Sequence, residues 1–267
     1  MEASARSQNE PDDHRLAARV AGDAGRLLVD LRDEFGATTS GPPTSDPGAR
    51  RTLGAEGDRR AHRLIVDALA AARPHDAVRS EEDEHPSDVL AGRLWIVDPL
   101  DGTREYSEGR ADFAVHVALA IDGSLAAGAV ALPGENLVLA TGDGAGAPPR
   151  LAPRADGPRR VVVSRTRPPA VADVVARRLG AELVPLGSAG AKAMAVVRGE
   201  ADAYVHAGGQ YEWDSAAPVA VALAAGAYAA RLDGSPLVYG RADPFVPDLV
   251  VCRPELTDMV REALRSL

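Results

Sequence analysis

The most constraining feature of this chain is a short apolar run, Leu94-Trp95-Ile96-Val97, that ends in Asp98-Pro99-Leu100-Asp101-Gly102-Thr103. The run reads as a buried strand. It delivers Asp98 at its C-terminal end, where Pro99 stops continued pairing, and the chain then turns so that Asp101 faces the same point. Gly102 supplies an unusual backbone angle or a close approach to a ligand. Thr103 opens a helix whose free N–H groups attract phosphate oxygens. Two carboxylates this close raise each other's pKa unless a cation lies nearby, and hard oxygen ligands suit Mg²⁺. Asp, Pro and Gly are also ordinary turn residues, so the hexapeptide alone leaves a plain surface turn open.

The surrounding pattern predicts a mixed α+β chain. Apolar positions Leu16, Val20, Ala24, Leu28 and Leu31 recur at helical spacing, with an end near Gly36. Residues 36–51 read as a Gly- and Pro-rich loop, and a second helix is expected from about Ala55 to Ala71. Strands are expected near 113–121, 125–132 and 136–140, the first two joined by Asp122-Gly123. Residues 142–158 read as an interdomain connection. After it, strands near 161–163, 182–186, 202–206, 227–232 and 248–252 alternate with helices, one of them from about Asp214. The expected architecture is two lobes, an N-terminal α/β lobe over residues 1–150 and a C-terminal α/β lobe over 151–267. Residues 1–12 read as a frayed tail.

Charge and composition exclude several function classes. The net charge of -9 argues against nonspecific nucleic-acid binding, though not against a small phosphorylated ligand beside a bound metal. No apolar run reaches the roughly 18 residues of a membrane span, and a cytoplasmic protein is expected. A single cysteine, Cys252, excludes an internal disulfide and reads as a buried thiol. Of the 30 basic residues only Lys192 is lysine, which invites a functional reading.

Four separated elements resemble one family. DPLDGT at 98–103 is similar to the metal-site signature of the lithium-sensitive inositol monophosphatase superfamily of Mg²⁺-dependent phosphatases. Ser80-Glu81-Glu82 resembles its upstream acidic pair, Gly57-Asp58 the Asp opening its second helix, and Trp213-Asp214-Ser215-Ala216-Ala217 its downstream Trp-Asp element. The stretches Ser164-Arg165-Thr166, Gly187 to Lys192, Gly199 to Tyr204 and Asp101 to Tyr106 resemble the 3'(2'),5'-bisphosphate nucleotidase branch. The chain departs from that branch where His206 stands in place of an Arg and Arg167 in place of a His.

The resemblance implies a layered αβαβα sugar-phosphatase-like fold and hydrolysis of 3'-phosphoadenosine 5'-phosphate to AMP and phosphate. It implies two or three Mg²⁺ ions held by Glu81, Asp98, the Leu100 carbonyl, Asp101 and Asp214. Thr103 would aim the attacking water, with Asp58 or Glu81 accepting its proton. Gly102, Thr103, Ser164, Ser188 and Lys192 would bind substrate, a homodimer is common among relatives, and Li⁺ should inhibit. Inositol monophosphate or fructose 1,6-bisphosphate on the same metal core are the competing substrates, and a non-catalytic phosphonucleotide sensor is a competitor of another class.

Each residue also has a plainer reading. Asp58 would stabilise a first-turn helix dipole, and Asp214 would be an N-cap. Glu81 and Glu82 lie in an acidic run of the kind usually solvated. Lys192 would be a solvated helix residue, and Ser164 and Ser188 would cap the helices that follow. His116 reads as a satisfied or surface imidazole, and Trp213 as packing.

Overall fold

Ten strands and seven α-helices alternate along the described residues, which are 12–38, 46–83, 92–144, 146–154 and 156–265 of the computed structural model. Two helices lead, α1 (Asp13–Thr38) and α2 (Pro47–Ala72). Then come β1 (Ala77–Ser80), β2 (Arg93–Asp101), the short α3 (Thr103–Ser107) and the meander β3 (Ala114–Ile121), β4 (Ser124–Leu132) and β5 (Leu137–Ala140). The second half runs β6 (Arg159–Ser164), α4 (Ala170–Leu179), β7 (Ala181–Leu186), α5 (Ala189–Val197) and β8 (Ala203–Tyr211). It closes with α6 (Glu212–Ala224), β9 (Tyr228–Ala230), β10 (Phe245–Cys252) and α7 (Thr257–Arg265).

Strand periodicity builds the layers. The first sheet has the order β1-β2-β3-β4-β5, and the second β7-β6-β8-β10-β9. Side chains alternate between sheet faces, so Trp95 and Val97 pack with Leu16, Leu28 and Ile65 of α1 and α2. Their neighbours Leu94 and Ile96 pack instead with Met194 of α5 and Ala217 of α6. The second sheet repeats the scheme: Val162 and Tyr204 join α5 and α6, while Val161 and Val205 join α4 and α7. The result is the expected mixed α+β order, αβαβα, with α5 and α6 as the central layer.

The boundaries differ from the sequence reading in three places, at the start of α2, along β8 and β10, and at the end of β2. Helix α2 begins at Pro47, not near Ala55, because Asp46 caps it: its Oδ1 accepts from Gly48 N at 2.8 Å, and Pro47 fills the first helical position, where no N–H is needed. Asp58 therefore sits well inside α2 and not in its first turn, so the dipole reading of Asp58 fails. Within the expected 36–51 loop, residues 39–45 lie outside the described residues, as do 1–11 of the expected tail. Strands β8 and β10 start or end several residues beyond the expected limits.

The third difference matters most for the site. β2 does not stop at Asp98. Asp98 pairs with His116 of β3 and Asp101 pairs with Ala114, so three steps on β2 oppose two on β3. This β-bulge absorbs Pro99 and restores pairing beyond it. Without the extra residue Asp101 would point to the face opposite Asp98; the bulge returns it to the same face, toward α5 and α6. Leu100 is left on the other side, buried with α1 and α2.

The central layer tolerates little added volume. A Cβ on Gly128 of β4 would lie 2.7 Å from Ala220 Cβ of α6. Gly128→Val is expected to destabilise the fold by about 1–3 kcal/mol through overpacking, read as a lowered denaturation midpoint. An unchanged midpoint would mean that α6 can move off the sheet freely.

Candidate active site

The bulge, the end of β1 and the start of α6 converge on one cleft of about 950 Å³. Glu81, Asp101, Gly102 and Thr103 line it from the first sheet. Ser164, Ser188, Lys192 and Asp214 line it from the second half. Asp98 lies at its base, 1 % exposed. One oxygen from each of Asp98, Asp101 and Asp214 comes within 4.8 Å of the others. All the residues expected at the site except Asp58 and Leu100 thus meet at or directly beneath the cleft. Asp58 reaches it only through Thr103, which is close enough to lower the Asp58 pKa and whose hydroxyl donates to the Leu100 carbonyl oxygen at 3.2 Å.

Several carboxylates packed together without a cation hold protons tightly. Burial, then the neighbouring Glu81, Asp101 and Asp214, raise Asp98 well above the usual carboxylate range. Burial also lifts Glu81 to about 7 and Asp214 to about 6. Asp58 is pushed to about 8 by burial and by the charges of Glu82 and Glu81. Asp101 is the exception. Burial pushes it up too, but His116, Lys192 and the Gly190 amide together hold it below its ordinary value. Gly190 N donates to Asp101 Oδ2 at 2.7 Å, and His116 Nε2 lies 3.2 Å from the same oxygen. An all-oxygen set of buried carboxylates with one backbone carbonyl nearby fits a hard divalent cation.

Several residues take positions other than their plainer readings. Asp214 is not the N-cap of α6. It sits one turn inside, and its Oδ2 accepts from Tyr211 N at 2.7 Å, so it secures the helix start from the third position. Ser188 does cap α5, accepting from Ala191 N at 2.9 Å. Ser164 caps no helix, because α4 starts after Pro169; its Oγ accepts instead from Arg167 N at 3.2 Å. Lys192 is not solvated. It is 4 % exposed, and its Nζ donates to the carbonyls of Gly187 and Ser188, the latter at 2.8 Å. Of the two plainer readings of His116 the satisfied imidazole holds and the surface one does not: it is fully buried, and its Nδ1 donates to the Trp213 carbonyl at 2.9 Å.

Two supports were not expected at the site. His116 stands directly across the ladder from Asp98, and the signal was an imidazole set among apolar residues in Ala-Val-His-Val-Ala. The second is a buried ion pair. Arg79 Nη1 donates to Glu212 Oε2 at 2.8 Å, and both side chains are 1 % exposed. Arg79 lies two residues before Glu81 and Glu212 two before Asp214, so the pair ties together the elements that carry these carboxylates. The Glu212 carboxylate also accepts from Arg241 N at 3.0 Å.

A layered αβαβα chain with a buried carboxylate cluster opening on a polar cleft has the frame of a metal-dependent phosphatase. More particularly, a model of the inositol monophosphatase family matches residues 31–266, and the chain belongs to that family. It is 46% identical to 3'-phosphoadenosine 5'-phosphate phosphatase of Mycobacterium leprae over 97% of this chain and 96% of the relative. It is 33% identical to the 3'(2'),5'-bisphosphate nucleotidase CysQ of Escherichia coli, over 70% of this chain and 79% of that protein. The inositol monophosphatase of Anabaena has a similar fold, with a TM-score of 0.76 at 19% identity over 95% of each chain. No helix among the described residues is long and apolar enough to cross a membrane.

The raised carboxyl groups set a pH dependence opposite to that of ordinary paired acids. In the folded, metal-free protein they keep protons that the unfolded chain has already lost. Stability in chelator is therefore expected to fall as pH rises from about 5 toward 8, and Mg²⁺ should flatten the decline. Thermal denaturation in EDTA and in Mg²⁺ across that range checks this; a midpoint in EDTA that climbs with pH would contradict it. Arg79→Met leaves Glu212 unpaired in the core and is expected to cost about 3–5 kcal/mol. Adding Glu212→Leu should recover much of that loss, as a double-mutant cycle in urea would show.

Proposed function

We propose that this protein is an Mg²⁺-dependent phosphatase that hydrolyses 3'-phosphoadenosine 5'-phosphate to AMP and phosphate. The observation that carries the reading is the convergence of the Asp98, Asp101 and Asp214 carboxylates with Thr103 and Lys192 on one cleft. The names of the relatives at 46% and 33% identity support the substrate class.

In this reading Glu81, Asp98, Asp101, Asp214 and the Leu100 carbonyl hold two or three Mg²⁺ ions. When bound, such ions polarise the phosphate and make a water more acidic. The remaining steps belong to the chain. Thr103 Oγ1, whose hydroxyl donates to the Leu100 carbonyl with Asp58 near it, orients the attacking water. The water gives its proton to Thr103 Oγ1 as the threonine hydroxyl, turning from the Leu100 carbonyl, passes its own to Asp58. The resulting hydroxide bonds to phosphorus while the bond to the ribose 3'-oxygen breaks, and that oxygen takes a proton from water in the cleft to leave as the 3'-hydroxyl. Neutralising Glu81 with a cation removes one of the two repulsions that raise Asp58, bringing it toward the range of a useful base. The amides of Gly102 and Thr103 face the phosphate. At Gly102 φ is +91°, and an added Cβ would lie 3.1 Å from Ser188 Cβ, so the backbone approaches closely only as glycine.

The second phosphate of the substrate meets Lys192, Ser164 and the exposed Arg167, which all line the same cleft. Lys192 is fixed by two carbonyls, so its charge is delivered at a set point. Buried Cys252, its thiol raised to about 12 by burial, is inert and suits a cytoplasmic enzyme.

Phosphate release from 3'-phosphoadenosine 5'-phosphate, inositol 1-phosphate and fructose 1,6-bisphosphate, compared as kcat/KM in Mg²⁺, tests the proposal. The nucleotide is expected to be preferred, and Asp98→Asn should lower turnover about a thousandfold, the loss of several kcal/mol of charge stabilisation. Preference for a sugar phosphate would overturn the substrate assignment and leave the metal site standing. Near wild-type turnover by Asp98→Asn would overturn the site itself. Undetectable turnover with intact nucleotide binding would make the protein a sensor.

A further inference from the structure

An aromatic step leads from the carboxylate cluster to the mouth of the cleft. Trp213, next to Asp214 in α6, is 9 % exposed. The Tyr211 ring stacks on it with centroids 4.8 Å apart and planes 16° from parallel. Phe245 meets Tyr211 edge-on at 6.2 Å and 79°. The two outer rings are 47 % and 45 % exposed, two of the four exposed large hydrophobic side chains among the described residues.

The backbone is shaped to present these rings. Between Asp248 and Val246, β8 runs from Ala207 to Gln210, so one extra residue is accommodated opposite β10. Gly208 and Gly209 take φ of +102° and +94° there. A Cβ on Gly209 would lie 2.5 Å from the Phe245 ring, so the glycine makes room for Phe245 to buttress Tyr211. His206 Nε2, donating to the Gly209 carbonyl at 3.0 Å, pins the same segment. On the inner side Tyr211 N is held by the Asp214 carboxylate. The step is thus anchored to a carboxylate of the cluster at one end and opens to solvent at the other.

Exposed aromatic rings at the mouth of a polar cleft match a ligand with both a phosphate and a flat π-face. Sugar and inositol phosphates have no such face, whereas a nucleobase does. We propose that Tyr211, backed by Trp213 and Phe245, is the platform on which the base of a nucleotide substrate stacks. The site then separates nucleotides from other phosphate monoesters by this contact. The proposal rests on the nucleotide reading above and adds the group that reads the base. Stacking tolerates any base, so the platform selects for a nucleobase without selecting adenine.

Product inhibition of 3'-phosphoadenosine 5'-phosphate hydrolysis by AMP and by inorganic phosphate tests the platform, because only AMP carries a base. In Tyr211→Ala the AMP inhibition constant and the nucleotide KM are expected to rise roughly tenfold relative to the inhibition constant for phosphate. Tyr211→Trp should restore both. Equal weakening toward AMP and phosphate would show that Tyr211 only steadies Asp214 and would overturn the proposal, as would constants unchanged from wild type. A wild-type protein that does not hydrolyse the nucleotide would overturn this proposal and the nucleotide-substrate reading together. Normal hydrolysis with no effect of Tyr211→Ala would overturn the platform alone.

Discussion

The repulsion among carboxylates buried at one point is the constraint around which this molecule is arranged. Asp98, Asp101 and Asp214, with Glu81 beside Asp98, bring negative charge into a region where burial penalises it. A protein cannot hold four ionised acids there unaided, and the groups protonate or take up cations. The chain compensates only one of them. Asp101 faces His116, the Gly190 amide and the field of Lys192, and alone of the four is held low. Charge on the other three is left for an external cation to balance. A site built in this way is poised to bind metal: full internal compensation would stabilise the empty protein and weaken the attraction for the ion.

Such a site needs stiff walls, because charges that repel will spread any structure that lets them. The β2 bulge fixes Asp98 and Asp101 on one face of a sheet packed on both sides. Asp214 comes from a helix gripped between two sheets, and Glu81 from the end of the parallel strand β1. The Arg79–Glu212 pair joins these last two supports. A buried ion pair contributes little net stability against an apolar replacement. Its value here is positional, since a guanidinium with fixed geometry sets the separation of two backbone segments more sharply than apolar packing does.

Much of this was legible in the sequence, and the illegible parts share a cause. Apart from the short β1, strand and helix order followed from apolar periodicity, and Asp122-Gly123 forms the expected two-residue turn, with φ of +49° and +83°. Failures came where a local signal was outvoted by a tertiary one. Pro47 and Gly48 read as loop residues, yet with Asp46 before them they form a helix start. Pro99 read as the end of a strand, yet pairing resumes after the bulge because Asp101 is drawn back by the ladder to Ala114. Asp58 was singled out for the right neighbourhood on the wrong local grounds. Arg79 escaped notice and His116 was not tied to the site, because nothing near them in sequence shows that their partners lie 133 residues away or across a ladder.

On the function proposed above, the same division lets one cleft serve two tasks. The end formed by β2, β1 and the start of α6 is buried, crowded and charged, and its residues are fixed by ladders, caps and ion pairs. The rim is formed by segments such as Ser164 to Pro169 and His206 to Tyr211, where glycine and proline shape more exposed backbone. Chemistry demands the first kind of environment, since a displaced carboxylate loses its electrostatic effect steeply with distance. Recognition tolerates the second, since a ring sliding over a base or an arginine meeting a phosphate keeps most of its energy over small shifts. Substrate preference in this fold can therefore change by altering the open rim, while the buried carboxylate frame stays as it is.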